Sequence, residues 1–302
     1  MRKVKIPKAT DKVSKLIDYY LHSPAFAKLS PRSQKDYEYH LARVNKTIGS
    51  KAIEDVTAGM LNKAYEKWEQ ENGIRTANYT KSVLSRAWKY SMSKDVMRHN
   101  PVSLIETSTE RKTKTKWDRA SVKAFLTTAY SQWRWRSIGL IVHMAYDWGQ
   151  RTGDMRTLTW DTLDLDQCRM DLTQSKRGAD VHLPISQNLC KMLREQHKDF
   201  GFQDYVAPKV SLDRGQVRRY GLNEIAPLIN EVLDEANLPR ELTAMSLRRT
   251  AVTEMMEAGV DLVGIMQVTG HVNPASLKPY MVNTFSGASR ALAARGNDDE
   301  DS

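Results

Sequence analysis

The chain has 302 residues, with 46 Lys+Arg against 36 Asp+Glu and a formal net charge of +10. That length exceeds what one hydrophobic core ordinarily organises, so two domains are expected. There is no long apolar run, the basic start MRKVKIPKATDK lacks a signal-peptide core, and Cys168 and Cys190 form neither a CxxC nor a zinc pattern; a cytoplasmic protein with no membrane partner, no metal and no disulfide framework follows as the expectation, with both cysteines as packing residues.

Charge is unevenly placed. Residues 1 to 116 hold 24 Lys+Arg and 12 Asp+Glu, whereas residues 117 to 302 carry a net of −2. A positive front third favours a polyanion, because basic side chains that neutralise phosphates release condensed counterions. A solvated basic surface gives the same count, so charge alone does not name the partner.

Taken in order, the first half reads as helices. Val13, Leu16, Ile17, Tyr20 and Leu21 recur at helical spacing, and Ser30-Pro31 is a cap followed by a proline start for a helix with Tyr37, Leu41, Val44 and Ile48. Thr57 is placed to cap a helix with Leu61, Ala64, Tyr65 and Trp68; another through Val83, Leu84, Ala87 and Tyr90 should stop at Asn100-Pro101. The stretch TSTERKTKTKW (107 to 117) is polar and aperiodic and reads as an exposed linker.

The second half is mixed. Ser121 is placed to cap a helix with Val122, Phe125, Leu126 and Ala129, and Ile138 to Trp148 is apolar enough for a buried helix. RMDLTQ and ADVHLPI flank Lys176-Arg177-Gly178 as a β-hairpin, and helices follow at 187–200, 222–237, 246–258, 261–268 and 274–282. SGASRALAAR is a further helical stretch, and DDEDS reads as a disordered tail.

Four strings carry chemistry: GQRTGDMRTLTW (149 to 160), SLRRTAVTEMMEAGVD (246 to 261), TGH (269 to 271), and Tyr280 nine residues after His271. In this order, with Lys176 at the hairpin, they resemble the tyrosine recombinases of the phage integrase family. The helical first half, with its closing Asn100-Pro101, resembles that family's core-binding domain, so the resemblance covers nearly the whole chain.

The resemblance implies a mainly α fold with a small antiparallel β-sheet. It divides into a basic helical core DNA-binding domain (1–106), a linker (107–116), a catalytic domain (117–285), and a C-terminal exchange helix with an acidic tail (286–302), the domains closing as a C-shaped clamp on DNA. It implies site-specific recombination, integrating or excising a phage or mobile element, through a 3′-phosphotyrosyl intermediate. Partners would be double-stranded DNA with specific core sites, a homo-tetramer on synapsed DNA, and accessory DNA-bending proteins, in a nucleoid-associated cytoplasmic location. No cofactor is expected: there is no GxxxxGK[ST] loop and no metal-ligand cluster.

The residue types suit the chemistry. A phosphodiester is an anion, so cations must be in place before a phenolate attacks, and the planar guanidinium pairs two phosphate oxygens without deprotonating. Arg151 and Arg248 take that role, with Asp154 orienting Arg151. Tyr280 is the nucleophile; an ordinary tyrosine has a pKa near 10 and needs help losing its proton. By resemblance, Lys176 is the acid for the leaving oxygen and His271 a phosphate donor. The family places histidine three residues before the second arginine, where this chain has Met245, whose thioether relays no proton. That departure keeps open an integrase-like DNA-binding protein without catalysis; a type IB topoisomerase-like relaxase is the other alternative.

Overall fold

The computed structural model describes residues 4–110, 115–176, 178–211, 216–280 and 285–294, and divides into two compact units, 1–112 and 113–302. It is mainly α-helical with two small antiparallel sheets. Among the described residues no helix is long and apolar enough to cross a membrane.

The first unit contains α1 (Val13–Leu21), α2 (Pro24–Ala27), α3 (Pro31–Ile48), α4 (Ala58–Asn72) and α5 (Ile74–Met92). Two expected caps are present: the Ser30 hydroxyl accepts from the Ser33 amide, and Thr57 accepts from Met60. Gly73, at φ +80°, supplies the left-handed residue that separates α4 from α5. The apolar stripes meet in a core around Leu16, Tyr20, Leu41, Leu61, Trp68, Leu84 and Trp88. His40 of α3 is buried in that packing and its Nδ1 lies 2.7 Å from the Thr80 hydroxyl of α5. Asn100-Pro101 does not stop α5, which ends at Met92; instead the Asn100 side chain accepts from Val102 and starts a 3-10 turn, Pro101–Leu104.

The second unit begins with α6 (Arg119–Ser131). Its cap is Asp118, not Ser121: Ser121 donates its amide to the Asp118 carboxylate at 2.7 Å. Helix α7 (Arg136–Asp147) is buried at every position from Ser137 to Ala145, which makes it the axis of this core. After the short α8 (Thr152–Met155) come β1 (Leu163–Asp164), β2 (Arg169–Thr173) and β3 (Asp180–Pro184), hydrogen-bonded in that order, with Met170 opposite Leu183 and Leu172 opposite Val181. Met170, Val181 and Leu183 turn inward, as the alternation requires.

Helix α9 (Gln187–Phe200) carries Cys190, whose sulfur lies 2.6 Å from that of Cys168; both are free thiols beside the core. A second pair, β4 (Lys209–Ser211) and β5 (Gln216–Arg218), was not expected, being three residues each. Helix α10 (Ile225–Glu235) is shorter than the expected 222–237, since Asn237 adopts φ +52° and turns the chain out of helix. Helices α11 (Ala244–Glu257) and α12 (Leu262–Thr269) follow. Residues Pro274–Tyr280 form a 3-10 helix in place of the expected α-helix, and Pro279 within it has no amide to donate; residues 281 and 282 lie outside the described residues. The last described element is α13 (Phe285–Ala294).

Candidate active site

Two glycines bring the site together. Gly149 follows α7 at φ +58°, reversing the chain so that Arg151 becomes the N-cap residue of α8. Gly270 ends α12 in the left-handed conformation at φ +67°, its amide bonded to the Met266 carbonyl, and delivers His271. A side chain at Gly270 would be strained and obstructed: a Cβ there would stand 2.5 Å from the Gln174 amide nitrogen.

Arg248 projects from α11 into this junction and is only 7% exposed. Its Nη1 donates to the Gly149 carbonyl at 3.1 Å and its Nη2 to the Thr269 carbonyl at 2.8 Å. Backbone oxygens thus fix the guanidinium while leaving its formal charge in place. Nη2 also lies 3.2 Å from Nε2 of His271, itself 8% exposed. The Thr269 hydroxyl donates to the Ile265 carbonyl, so its oxygen accepts from His271 Nδ1 at 2.6 Å. The ring is thus held between the Thr269 hydroxyl at Nδ1 and the Arg248 guanidinium at Nε2.

Arg151 is held from the other side. Its Nη1 donates to the Gln174 side-chain oxygen at 2.9 Å and lies 3.8 Å from the buried Asp154 carboxylate. Asp154 also accepts from the Ser175 hydroxyl and, at 3.3 Å, from the Ser175 amide. Gln174 donates to Gln150 at 2.6 Å and to the Thr269 carbonyl at 2.8 Å, and Gln150 donates to the carbonyls of Trp148 and Val268. Two buried amides therefore join the Arg151 turn, the base of the β2–β3 hairpin and the end of α12.

Tyr280 closes the 3-10 helix, half-buried on Val252, Ile265 and Leu277. Its ring centroid is 6.2 Å from that of His271, and the Arg249 guanidinium stands over its face at 5.7 Å. Arg151, Arg248, His271 and Tyr280 are thus gathered in one region of the second unit. Lys176 is exposed at the hairpin tip and forms no hydrogen bond or ion pair with the other four among the described residues. Met245 sits in the first turn of α11, 86% exposed, and takes no part in the network. Sequence reasoning missed Gln150, Gln174, Ser175, Thr269 and Arg249; the first, fourth and fifth lay inside the recognised strings, but nothing local marked their roles.

A buried guanidinium and a second, partly exposed one beside an imidazole and a phenol make a site for an anion next to an oxygen nucleophile. Comparison with known proteins agrees with that class. The model of the phage integrase family matches residues 96–286. The tyrosine recombinase XerC of Alcanivorax borkumensis is 21% identical over 295 residues, covering 93% of this chain and 95% of that protein. The virulence plasmid integrase pGP8-D of Chlamydia muridarum is 28% identical over 150 residues, 47% of this chain and 42% of that protein. Among solved structures, the Tn1549 transposon integrase in complex with transposon right end DNA superposes with a TM-score of 0.76 at 16% identity, covering 95% of this chain and all (100%) of that one. A lambda integrase dimer bound to a COC' core site gives 0.73 at 15% identity, covering 97% and 80%.

The chain belongs to the phage integrase family. It is a tyrosine recombinase, an enzyme that cleaves and rejoins DNA in site-specific recombination.

Proposed function

We propose that Tyr280 is the nucleophile and that Arg151 and Arg248 hold the scissile phosphate. The observation that carries this reading is the convergence of Arg248, His271 and Tyr280 at the Gly270 turn. The phenol oxygen attacks phosphorus, the 3′-phosphotyrosyl ester forms and the 5′-oxygen leaves. The phenol proton passes to His271, Lys176 or water, and His271 donates to a phosphate oxygen. Lys176, on an exposed tip, reaches the leaving oxygen from the DNA side and protonates it. Reversal by the partner strand's 5′-hydroxyl reseals the DNA, so the ester conserves the bond energy and no nucleotide is consumed.

The domain roles follow the family resemblance, and the positive charge of the first domain supports its part. Residues 1–106 bind duplex core sites with their basic helices, 107–116 link, 117–285 catalyse, and 286–302 dock on a neighbouring protomer. Four protomers act on two synapsed sites to integrate or excise a mobile element. A lambda integrase tetramer bound to a Holliday junction, with a TM-score of 0.73 at 15% identity, supports the tetramer. Accessory bending proteins and a cytoplasmic, nucleoid-associated location complete the proposal.

The test is a nicked suicide substrate carrying the sequences that flank the gene, incubated in chelator. Wild type is expected to form a covalent protein–DNA adduct, and Tyr280→Phe to bind the same DNA and form none. An adduct that survives in the phenylalanine variant, or one that requires divalent metal, overturns the assignment.

A further inference from the structure

Cys168 and Cys190 take no part in the mechanism above, yet the fold brings their sulfurs together. Cys168 closes the turn between β1 and β2, and Cys190 sits buried in the first turn of α9. Their Sγ atoms lie 2.6 Å apart, and each stands 3.7 Å from the Leu165 carbonyl oxygen. The turn itself is tightly made: the Asp164 carboxylate accepts from the amides of Asp166 and Gln167, and Cys168 then adopts φ +49°. That left-handed conformation ordinarily belongs to glycine or asparagine. As a packing residue Cys168 is therefore poorly chosen, and the sulfur it carries meets the one other cysteine of the chain.

We propose that Cys168 and Cys190 are an oxidisable pair that closes into a reversible intrachain disulfide across the base of the β2–β3 hairpin. The loop this bond closes runs from residue 168 to residue 190 and contains both strands, Gln174, Ser175 and Lys176. The oxidant is a low-molecular-weight disulfide. Cys168, as the thiolate, attacks one of its sulfurs; a mixed disulfide forms, the small disulfide breaks, and the departing small thiolate takes up the Cys168 proton. Cys190 then attacks the Cys168 sulfur; the intrachain bond forms, the mixed disulfide breaks, and the second small thiol leaves with the Cys190 proton. Two protein thiols are oxidised and one small disulfide is reduced to two thiols, so electrons and protons balance. Access sets the order. Cys190 is 2% exposed and burial pushes its thiol up, whereas Cys168 is half-buried with the Arg194 guanidinium nitrogen 3.9 Å from its sulfur, the electropositive and partly open setting in which thiols react. The Cys168 carbonyl already accepts from the Ile185 amide at 2.7 Å, so the base of the hairpin is in place before the bond forms. Closure therefore restrains the unfolded chain and leaves the hairpin's shape as it is.

The test uses the full-length protein, held native in oxidised glutathione or in dithiothreitol, then denatured in the presence of an alkylating agent and digested with trypsin without reduction. Cleavage after Arg169, Arg177 and Lys191 puts the two cysteines on separate peptides. The oxidised sample is expected to yield those peptides joined, about 2 Da lighter than their sum, and dithiothreitol to separate them again. The second unit's thermal midpoint should be several degrees higher in the oxidised than in the reduced wild type, and Cys168→Ser and Cys190→Ala should each abolish that difference. Comparing each variant with itself in the two buffers keeps any packing loss out of the result. Two alkylated thiols after the oxidising incubation overturn the proposal, as does a glutathione adduct that persists on Cys168, or a disulfide between two chains in place of the internal one. A joined peptide that forms only when denaturant is present during oxidation overturns it too, because the native fold is then not what pairs the sulfurs. An unmoved midpoint in a fully joined sample overturns the restraint on the hairpin segment.

Discussion

Gln174 illustrates how much the site depends on one uncharged side chain. Its oxygen accepts from Arg151 and its nitrogen donates to Gln150 and to the Thr269 carbonyl, so the amide has a single workable orientation. Gln174→Glu preserves shape and replaces a donor with a third acceptor among acceptors. It is expected to cost at least about 2 kcal/mol in chemical denaturation and to slow cleavage by displacing Arg151; unchanged stability would mean the amides are not coupled. Met245 raises a second question at this scale. Because it faces solvent at 86% exposure, it contributes nothing to the Arg248 network. Cleavage by Met245→His should differ from wild type by about tenfold at most, since a full acid–base contribution is typically about 100- to 10,000-fold. Arg248→Ala should lose on the order of 100-fold or more. An inert wild type made strongly active by Met245→His would favour a DNA-binding protein that has lost catalysis.

Elements were legible where local chemistry decides them. Ser30-Pro31 and Thr57 start helices because their hydroxyls accept nearby amides, and the β2–β3 hairpin was readable from Val181 and Leu183 alternating beyond a lysine-glycine turn. Asp118 and Ser121 were both capping types three residues apart, and only the backbone conformation distinguishes them. Strands β4 and β5 are too short to carry a period. The arginines, histidine and tyrosine were visible as strings, but Gln150 and Gln174 meet partners far away in sequence, which no local pattern encodes. His40 ties α3 to α5, and its burial, reinforced by Arg43, lowers its pKa below the ordinary 6.5. Its proton is therefore bound more weakly in the folded than in the unfolded chain. That contribution to stability is present above the ordinary histidine pKa and is lost as pH falls through and below it. The first unit's thermal midpoint should therefore decline on acidification, and His40→Gln should flatten the decline; equal slopes would show that His40 is not responsible.

For the molecule as a whole, the chain forms two compact units that divide at 112/113, inside the polar basic stretch 107–117. Among the described residues, each unit has its own core, one built on Trp68 and Trp88 and one on α7. Cooperative melting requires shared packing, so the heat-capacity trace of this protein should resolve two endotherms rather than one. Trp68→Ala, which empties a fully buried site, is expected to lower one transition by several degrees and leave the other in place. A single endotherm that shifts as a whole would show that the halves melt as one unit. With two, either half can open while the other stays folded, so partial loss of one core need not scramble the site in the other.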